Sequence, residues 1–394
     1  MHVAIIGAGP AGAHLACLLS QSGCAVLLFD AREKPWEKPC GGGVTAKALR
    51  EYRFLHQHSA RQMVTSVRVI SAQNRTVNLT PNAPFAIYSR QELDRLMRQR
   101  AIEAGAQMIC ARIARIARKG NQWSLTSQTG EIYQSDFLVG ADGATSKIRK
   151  YLGIEFQPQD FAYGLGWHIQ KNPPDYCRAP EATRVDIKYL REKGTGYLWA
   201  FPRTDHLSYG IAAKFQEKTP AQLKAELLAF IASQDAQTAH EIRANGHTSD
   251  SRIQFYAAML PALQLPAWNR LRVSNADQQW ALIGDAAGFV DPITGEGIHY
   301  ALRSAELLAQ SMLTRTHSYE TLWRDDFGGE MTRAAQLYDR FYHSTYLGAP
   351  FTERLVQLAK YHRGIRETLN DLIAGEQGYV DLKPQLKNRL WRVF

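Results

Sequence analysis

Apolar residues along this chain follow different rhythms, and each rhythm predicts a different kind of element. "VAIIG" at residues 3–7 is a short unbroken apolar run suited to a buried parallel strand. It passes through Gly7, Gly9 and Gly12 into "AHLACLLSQSG", whose apolar spacing is helical and which Gly23 closes. "AVLLFD" at 25–30 supplies a second buried strand. The same kind of run returns in "DFLVGADG" at 136–143 and in "WALIGDAAG" at 280–288, the latter leading through a glycine-rich loop into a long helix.

Between those segments the rhythm changes. "FAYGLGWHIQ", "TRVDIKYL", "TGYLWAFPR" and "LSYGIAAKF" are short, aromatic and β-branched, and clusters of Pro, Gly, Asp and Lys separate them. They predict an antiparallel sheet. In the third of these, Tyr197, Trp199 and Phe201 alternate, so a strand places all three on one face, where stripes of this kind ordinarily pack a core. "TPAQLKAELLAFIASQ" predicts a helix capped by Thr219 with Pro220 at its first position. Beyond about 315 the chain turns helical and charged, with no glycine-rich motif.

Composition narrows the classes. With 394 residues, 45% hydrophobic and 21% charged, the chain can bury a large core and is long enough for two or three domains. A formal net charge of +10 favours anionic partners, such as phosphorylated substrates or lipid headgroups. Nucleic acid is not expected, because the basic residues are scattered and no zinc-finger spacing occurs. Cys17, Cys24, Cys40, Cys110 and Cys177 never form a CxxC pair, so neither a disulfide framework nor a metal site is expected, and a reducing cytoplasm fits. The first strand begins at Met1, which leaves no room for an export signal, and no apolar run approaches the ~20 residues that span a bilayer. The expected location is therefore cytoplasmic, with membrane contact limited to peripheral association on the inner face.

The chemistry starts at the glycines. Gly7 permits a tight turn, Gly9 lets backbone approach a pyrophosphate, Gly12 lets the helix pack on the strand, and the phosphate would sit on the helix N-terminus. Asp30 follows Gly12 by 30 − 12 = 18 residues, close to the spacing of a ribose-binding carboxylate. Together they predict an adenine dinucleotide site. Asp285 ends a strand where a carboxylate can accept from a sugar alcohol, and Gly295, Gly297 and the following helix start offer N–H groups to an electron-rich ring carbonyl.

This set resembles the FAD-binding signatures of the para-hydroxybenzoate-hydroxylase-like flavoproteins. The resemblance implies that the first motif, including Ala11, holds ADP, that Asp142 lies near the pyrophosphate, and that Asp285 binds the ribityl chain with Ile298 beside it. It further places Arg90 near the flavin at a helix start, and Ala111 after the strand that flanks adenine. The implied fold is α/β (α+β overall). A Rossmann-like FAD-binding domain covers 1–155 and 275–315, with 60–90 contributing to the second domain. An inserted antiparallel-sheet substrate domain covers 156–274, and a C-terminal helical region covers 316–394. The FAD is expected to be non-covalent.

"KPCGGG" at 38–43 and "YLWAFP" at 197–202 resemble the two signature segments of the geranylgeranyl reductase family, flavoenzymes that saturate isolated double bonds of polyprenyl chains. The resemblance implies that Cys40, Gly41 and Gly43 neighbour the flavin and that Tyr197, Trp199 and Phe201 line the substrate cavity. Physically, bare glycine backbone serves close approach of a planar ligand, while Cys40 reads equally as a reactive thiol or a small filler. An isolated alkene needs a hydride and a proton together, and Cys40, Tyr197 or water can supply the proton. One GxGxxG, occupied by FAD, leaves NADPH or another reductant, including an electron-carrier protein, to dock transiently. The expected substrate is a hydrophobic, anionic prenyl compound. Two other readings share the fold: an FAD-dependent aromatic monooxygenase, and a flavoprotein that relays electrons to a partner or quinone.

Overall fold

The computed structural model describes residues 1–57, 61–83, 85–170, 180–190, 194–245, 252–346 and 348–391, so Cys177 lies outside the described residues. The chain forms two units. The first comprises Met1–Glu37, Arg90–Gln157 and Leu260–Thr332, and the second Lys38–Ser89, Pro158–Met259 and Arg333–Phe394. The stretch 1–155 is thus interrupted, since all of Lys38–Ser89 joins the second unit rather than 60–90 alone, and the helical tail is shared between the two.

The first unit is built on a six-stranded sheet in the order Ser274–Asn275, Trp280–Leu282, Phe137–Gly140, His2–Ile6, Ala25–Asp30, Gln107–Cys110. Every pairing is parallel except that of the Ser274–Asn275 edge. Ile5 stands opposite Leu28 on one side and Val139 on the other, which is why these strands read as unbroken apolar runs. The helix Pro10–Gln21 packs against the helices Arg90–Glu103 and Ile298–Thr314. A separate antiparallel sheet joins Ile132–Ser135, Gln122–Ser127 and Ile113–Lys119.

The second unit holds a seven-stranded sheet ordered Ile253–Pro261, Phe161–Gln170, His206–Lys214, Gly196–Pro202, Arg184–Tyr189, Ser66–Ile70, Thr76–Leu79. The four aromatic strands predicted between 156 and 274 pair antiparallel with one another, as expected, and the sheet extends beyond that stretch. Two of its strands come from before residue 80, and Arg184–Tyr189 runs parallel to Ser66–Ile70, with Val185 opposite Val67. A parallel neighbour must arrive by a crossover, and here the whole middle segment of the first unit, Arg90–Gln157, lies between them in sequence.

Alternation along these strands sorts the two faces. Leu165, Trp167, Leu198, Leu207, Tyr209 and Ile211 form one apolar face, covered by Leu223, Leu227, Phe230 and Ile231 of the helix Pro220–Gln234. Thr219 caps that helix in a reciprocal capping box with Gln222. The opposite face carries Val67, Val69, Val185 and Tyr189, packed with Val356 and Ala359 of Phe351–Tyr361 and with Ile365 and Leu369 of Arg363–Ile373.

Candidate functional site

In the first unit, the opening strand ends at a turn that only glycine can make. Gly7 has a φ of +109°, and a Cβ there would lie 2.2 Å from the Ala141 carbonyl oxygen. A Cβ on Gly12 would lie 1.9 Å from the Gly7 carbonyl oxygen, so the third glycine serves close packing of helix on turn. Gly9 caps the helix Pro10–Gln21 without a side-chain hydrogen bond, and Pro10 occupies the first position. Ala11 is buried in the first helical turn.

Asp30 ends its strand half-buried. Its Oδ2 accepts from the Ala8 N–H at 3.2 Å and its Oδ1 from the Arg32 N–H at 2.9 Å, while Arg98 closes on Oδ2 at 2.8 Å. Arg98 is buried, and its guanidinium also donates to the Ala8 carbonyl at 3.2 Å and the Arg32 carbonyl at 3.0 Å. One side chain therefore holds both the glycine turn and the carboxylate. Ala111 follows the strand Gln107–Cys110, and its N–H donates to the Asp30 carbonyl at 2.9 Å.

Arg90 is the first residue of Arg90–Glu103, as expected, but it is committed to protein partners. Its guanidinium pairs with the buried Asp94 at 3.1 Å, and the Arg90 and Gln91 N–H groups donate to the Glu37 carboxylate at 3.0 and 3.1 Å. Asp142 likewise turns inward. It accepts from the Ser146 hydroxyl and from the Lys147 N–H at 2.7 Å, and burial raises its carboxyl above the ordinary range against these hydrogen bonds.

Asp285 lies in the single turn Gly284–Ala287 that follows the strand Trp280–Leu282. The loop beyond it is built on Asp291, whose carboxylate accepts from the Ile293 N–H at 2.8 Å and the Thr294 hydroxyl at 2.8 Å. Gly295 takes a φ of +73° and Gly297 caps Ile298–Thr314 without a side-chain hydrogen bond. A Cβ on Gly297 would sit 3.3 Å from Asp285 Oδ1, so carboxylate and helix start are neighbours. Ile298 is buried as the first helical residue. Arg149 ties this loop to the Asp142 segment, donating to the Ala286 carbonyl at 3.0 Å and the Ala144 carbonyl at 2.9 Å. Its burial pushes the guanidinium down to about 10, against the charges of Asp142 and Asp285.

In the second unit, Tyr197, Trp199 and Phe201 share one face of Gly196–Pro202, their rings 5.9 and 6.2 Å apart. Trp199 pairs with Gly210, which pairs with Gly166. A Cβ on Gly210 would meet Trp199 at 2.1 Å, and one on Gly166 would meet Tyr256 at 2.4 Å, so the glycines let two large rings lie on the sheet. Tyr256 donates to the Tyr209 carbonyl at 3.0 Å, shares a hydrogen bond with Ser208 and stacks on His168 at 4.4 Å. Burial drives its phenol well above the ordinary tyrosine range.

The cysteine loop meets this sheet. Cys40 is a free, half-buried thiol whose Sγ accepts from the Gly42 N–H at 3.2 Å, and whose carbonyl accepts from Arg203 at 2.6 Å. A Cβ on Gly41 would fall 2.7 Å from the Phe201 ring, and one on Gly42, at a φ of +77°, 2.1 Å from the Tyr88 carbonyl oxygen. Gly43 has ordinary room and pairs with Ile87. This changes the reason for the glycines: at 41 and 42 the protein's own Phe201 and Tyr88 require bare backbone, whatever ligand lies near.

Sequence reasoning missed Arg98, Arg149, Arg203 and Tyr256. Arg98 left a signal, because Arg90, Asp94 and Arg98 recur at helical spacing beside the buried Leu93, Met97 and Ala101. A charged row bordering an apolar stripe marks groups that turn inward.

Two helix starts without side-chain caps, a carboxylate at the end of the second strand and a carboxylate beside the second helix start form a donor and acceptor set suited to a dinucleotide. Residues 1–317 match the family profile of the FAD-binding domain. This chain belongs to that FAD-binding family. The FAD-dependent oxidoreductase is 26% identical over 355 residues to a geranylgeranyl diphosphate reductase of Rhodobacter capsulatus, covering 86% of this chain and 84% of the relative. It is 27% identical over 395 residues to a menaquinone reductase of Mycobacterium tuberculosis, covering 90% and 88%. Its fold matches a geranylgeranyl bacteriochlorophyll reductase-like protein from Thermoplasma acidophilum, with a TM-score of 0.74, 19% identity and 98% of each chain covered. Among the described residues, no helix is long and apolar enough to cross a membrane.

Proposed function

We propose that this FAD-dependent oxidoreductase saturates isolated carbon–carbon double bonds of a polyprenyl chain. The observation that carries the reading is the packing of the Cys40 loop on the aromatic strand, where Gly41 lies against Phe201 in line with Trp199 and Tyr197. Generic FAD binding requires neither segment. An aromatic face suits an apolar chain and the cationic character that develops as an electron-rich alkene takes up a proton. Geranylgeranyl diphosphate and menaquinone, named in the relatives, share a polyprenyl chain, and that shared chemistry is the substrate class proposed.

In this reading Gly7, Gly9, Ala11, Gly12 and Asp30 hold the ADP half of FAD, and Asp285, Gly295, Gly297 and Ile298 hold the flavin half. The bound, reduced flavin supplies the hydride. Cys40 and Tyr197 are the candidate proton donors of the chain, and solvent water is the third. Tyr197, Trp199 and Phe201 bind and desolvate the alkene. NADPH or a small electron carrier reduces the flavin by transient docking, and the +10 charge favours a diphosphate or an anionic membrane surface on the substrate side.

The deciding experiment is anaerobic incubation of the dithionite-reduced holoenzyme with geranylgeranyl diphosphate and, separately, menaquinone, read by mass spectrometry. Added hydrogen pairs in the prenyl chain support the reading. Oxidation of the flavin by quinone with the chain unchanged would point to electron relay, and, in a parallel aerobic incubation, substrate-dependent oxygen uptake with a hydroxylated product would point to a monooxygenase.

A further inference from the structure

Behind the Cys40 loop lies a chain of hydrogen bonds that begins near the surface and ends on the loop's backbone. Asp205 is largely exposed, and its Oδ1 lies 2.7 Å from His206 Nδ1. An acidic partner there fixes the proton on Nδ1, which leaves the Nε2 lone pair facing inward. Arg203 Nη1 meets that Nε2 at 3.0 Å, and Arg203 Nη2 donates to the Cys40 carbonyl at 2.6 Å. Arg203 is fully buried and His206 nearly so, while the ring of His168 stands edge-on to His206 at 5.0 Å. The Arg203 and His206 backbones are also joined, N–H to carbonyl, at 2.8 Å, so the turn between them is rigid.

A buried guanidinium is costly, and a structural need for one neutral carbonyl acceptor would be met by a smaller donor. What the guanidinium supplies is a planar fork with two donors at a fixed separation. We infer that Arg203 is a positioning residue, set by Asp205 and His206, that fixes the backbone of Cys40 and hence the direction of its thiol. The inference rests on the proposed role of Cys40 only for its catalytic consequence. The geometry itself concerns Arg203, His206 and the loop.

Hydrogen exchange of the FAD-loaded protein, read on the peptide spanning Lys38–Leu49, tests the geometry alone. Loss of one charge-assisted hydrogen bond is expected to speed exchange at Gly42–Val44 by about tenfold in Arg203→Met. His206→Leu, which removes the acceptor that orients the fork, is expected to act in the same direction. Arg203→Lys, which keeps the charge and a donor, is expected to recover most of the protection, and His206→Gln, which keeps an acceptor, likewise. Unchanged exchange in a folded Arg203→Met would overturn the inference. So would faster exchange spread evenly over the seven-stranded sheet, because Arg203 would then be a general stabiliser. Because Arg203→Met could fail to fold, the His206 pair carries the same test on its own. Anaerobic alkene reduction is the second readout, expected to show a lower kcat at nearly constant KM in Arg203→Met. Local loosening with kcat unchanged leaves the positioning role standing and counts against a part for Cys40 in the chemistry.

Discussion

Arg98 grips Asp30 at 2.8 Å with a guanidinium that also holds the carbonyls of Ala8 and Arg32. The carboxylate proposed to meet a ribose and the turn proposed to meet a pyrophosphate are thus braced by the same side chain. Arg98→Met leaves the half-buried Asp30 carboxylate without its cation and the Ala8 and Arg32 carbonyls without that donor, a loss of about 1–3 kcal/mol. FAD affinity is expected to fall by tenfold or more, on the order of 1.4 kcal/mol, measured by fluorescence on flavin release. Arg98→Lys is expected to recover little, because an ammonium cannot span three acceptors with fork geometry. Wild-type affinity in Arg98→Lys would show that charge alone suffices.

Asp285 provides a test confined to the flavin half. Its carboxylate lies beside the start of Ile298–Thr314 and its charge acts on the buried Arg149 guanidinium, so Asp285→Ala costs the fold about 0.3–1 kcal/mol through the helix dipole and more through the lost charge beside Arg149. A sugar hydroxyl left unsatisfied in the bound state costs about 1–3 kcal/mol more. The expected result is FAD binding weakened by about tenfold beyond the fall that the lower stability of the apoprotein explains, read by comparing the melting midpoints of apoprotein and holoenzyme. Acid precipitation of the wild-type holoenzyme is expected to leave all flavin in the supernatant, since the proposed contacts are all non-covalent. Flavin retained in the pellet would contradict that.

The glycine turn, Asp30 and the Asp285 segment were legible in the sequence because each is a local pattern in which a few residues fix a strand end, a turn and a helix start. The aromatic stripe was legible for the same reason, as alternation within one strand settles which side chains share a face. The braces were not. Arg98 acts on Ala8 across 90 residues and Arg203 on Cys40 across 163, and neither separation leaves a periodic trace. Domain membership was legible only in part. The stretch 60–90 was expected to contribute to the second domain, and Val67 and Val69 do pair with Val185 and Ile187, but 38–59 reads as a continuation of the opening α/β pattern and joins the second unit as well. The packing of Tyr256 and Trp199 over Gly166 and Gly210 explains why two glycines interrupt otherwise strong strands, and it becomes visible only once four strands lie side by side.

Gly42 separates folding from ligand binding. At a φ of +77° with the Tyr88 carbonyl oxygen 2.1 Å from any Cβ, alanine there is strained before a ligand is considered. Gly42→Ala is expected to destabilise the apoprotein by about 2 kcal/mol or more, seen as a lower urea midpoint. Gly43→Ala, where a Cβ would find its nearest neighbours at 3.8 Å, is expected to be mild in the apoprotein. If Gly43→Ala still weakens FAD binding, the cause is the ligand and not the fold. An apoprotein midpoint unmoved by Gly42→Ala would mean the turn can relax away from Tyr88.

Cys40→Ser asks what the thiol does once the backbone is held. The loop keeps its shape in this variant, because serine Oγ can still accept from the Gly42 N–H and the Arg203 bond is to the carbonyl, which the substitution leaves alone. Flavin content, melting midpoint and flavin reduction by dithionite are therefore expected to match wild type. A serine hydroxyl is a far weaker acid than a thiol. If Cys40 donates the proton to the alkene, the anaerobic rate of alkene reduction is expected to fall by about a hundredfold, the lower end of the range for loss of a positioned general acid. The loss is expected at saturating substrate, since binding rests on the aromatic face. Full activity in Cys40→Ser would remove the thiol from the chemistry and leave Tyr197 or water as the proton source. Tyr197→Phe would then choose between them, because it keeps the ring on the sheet face and deletes only the hydroxyl.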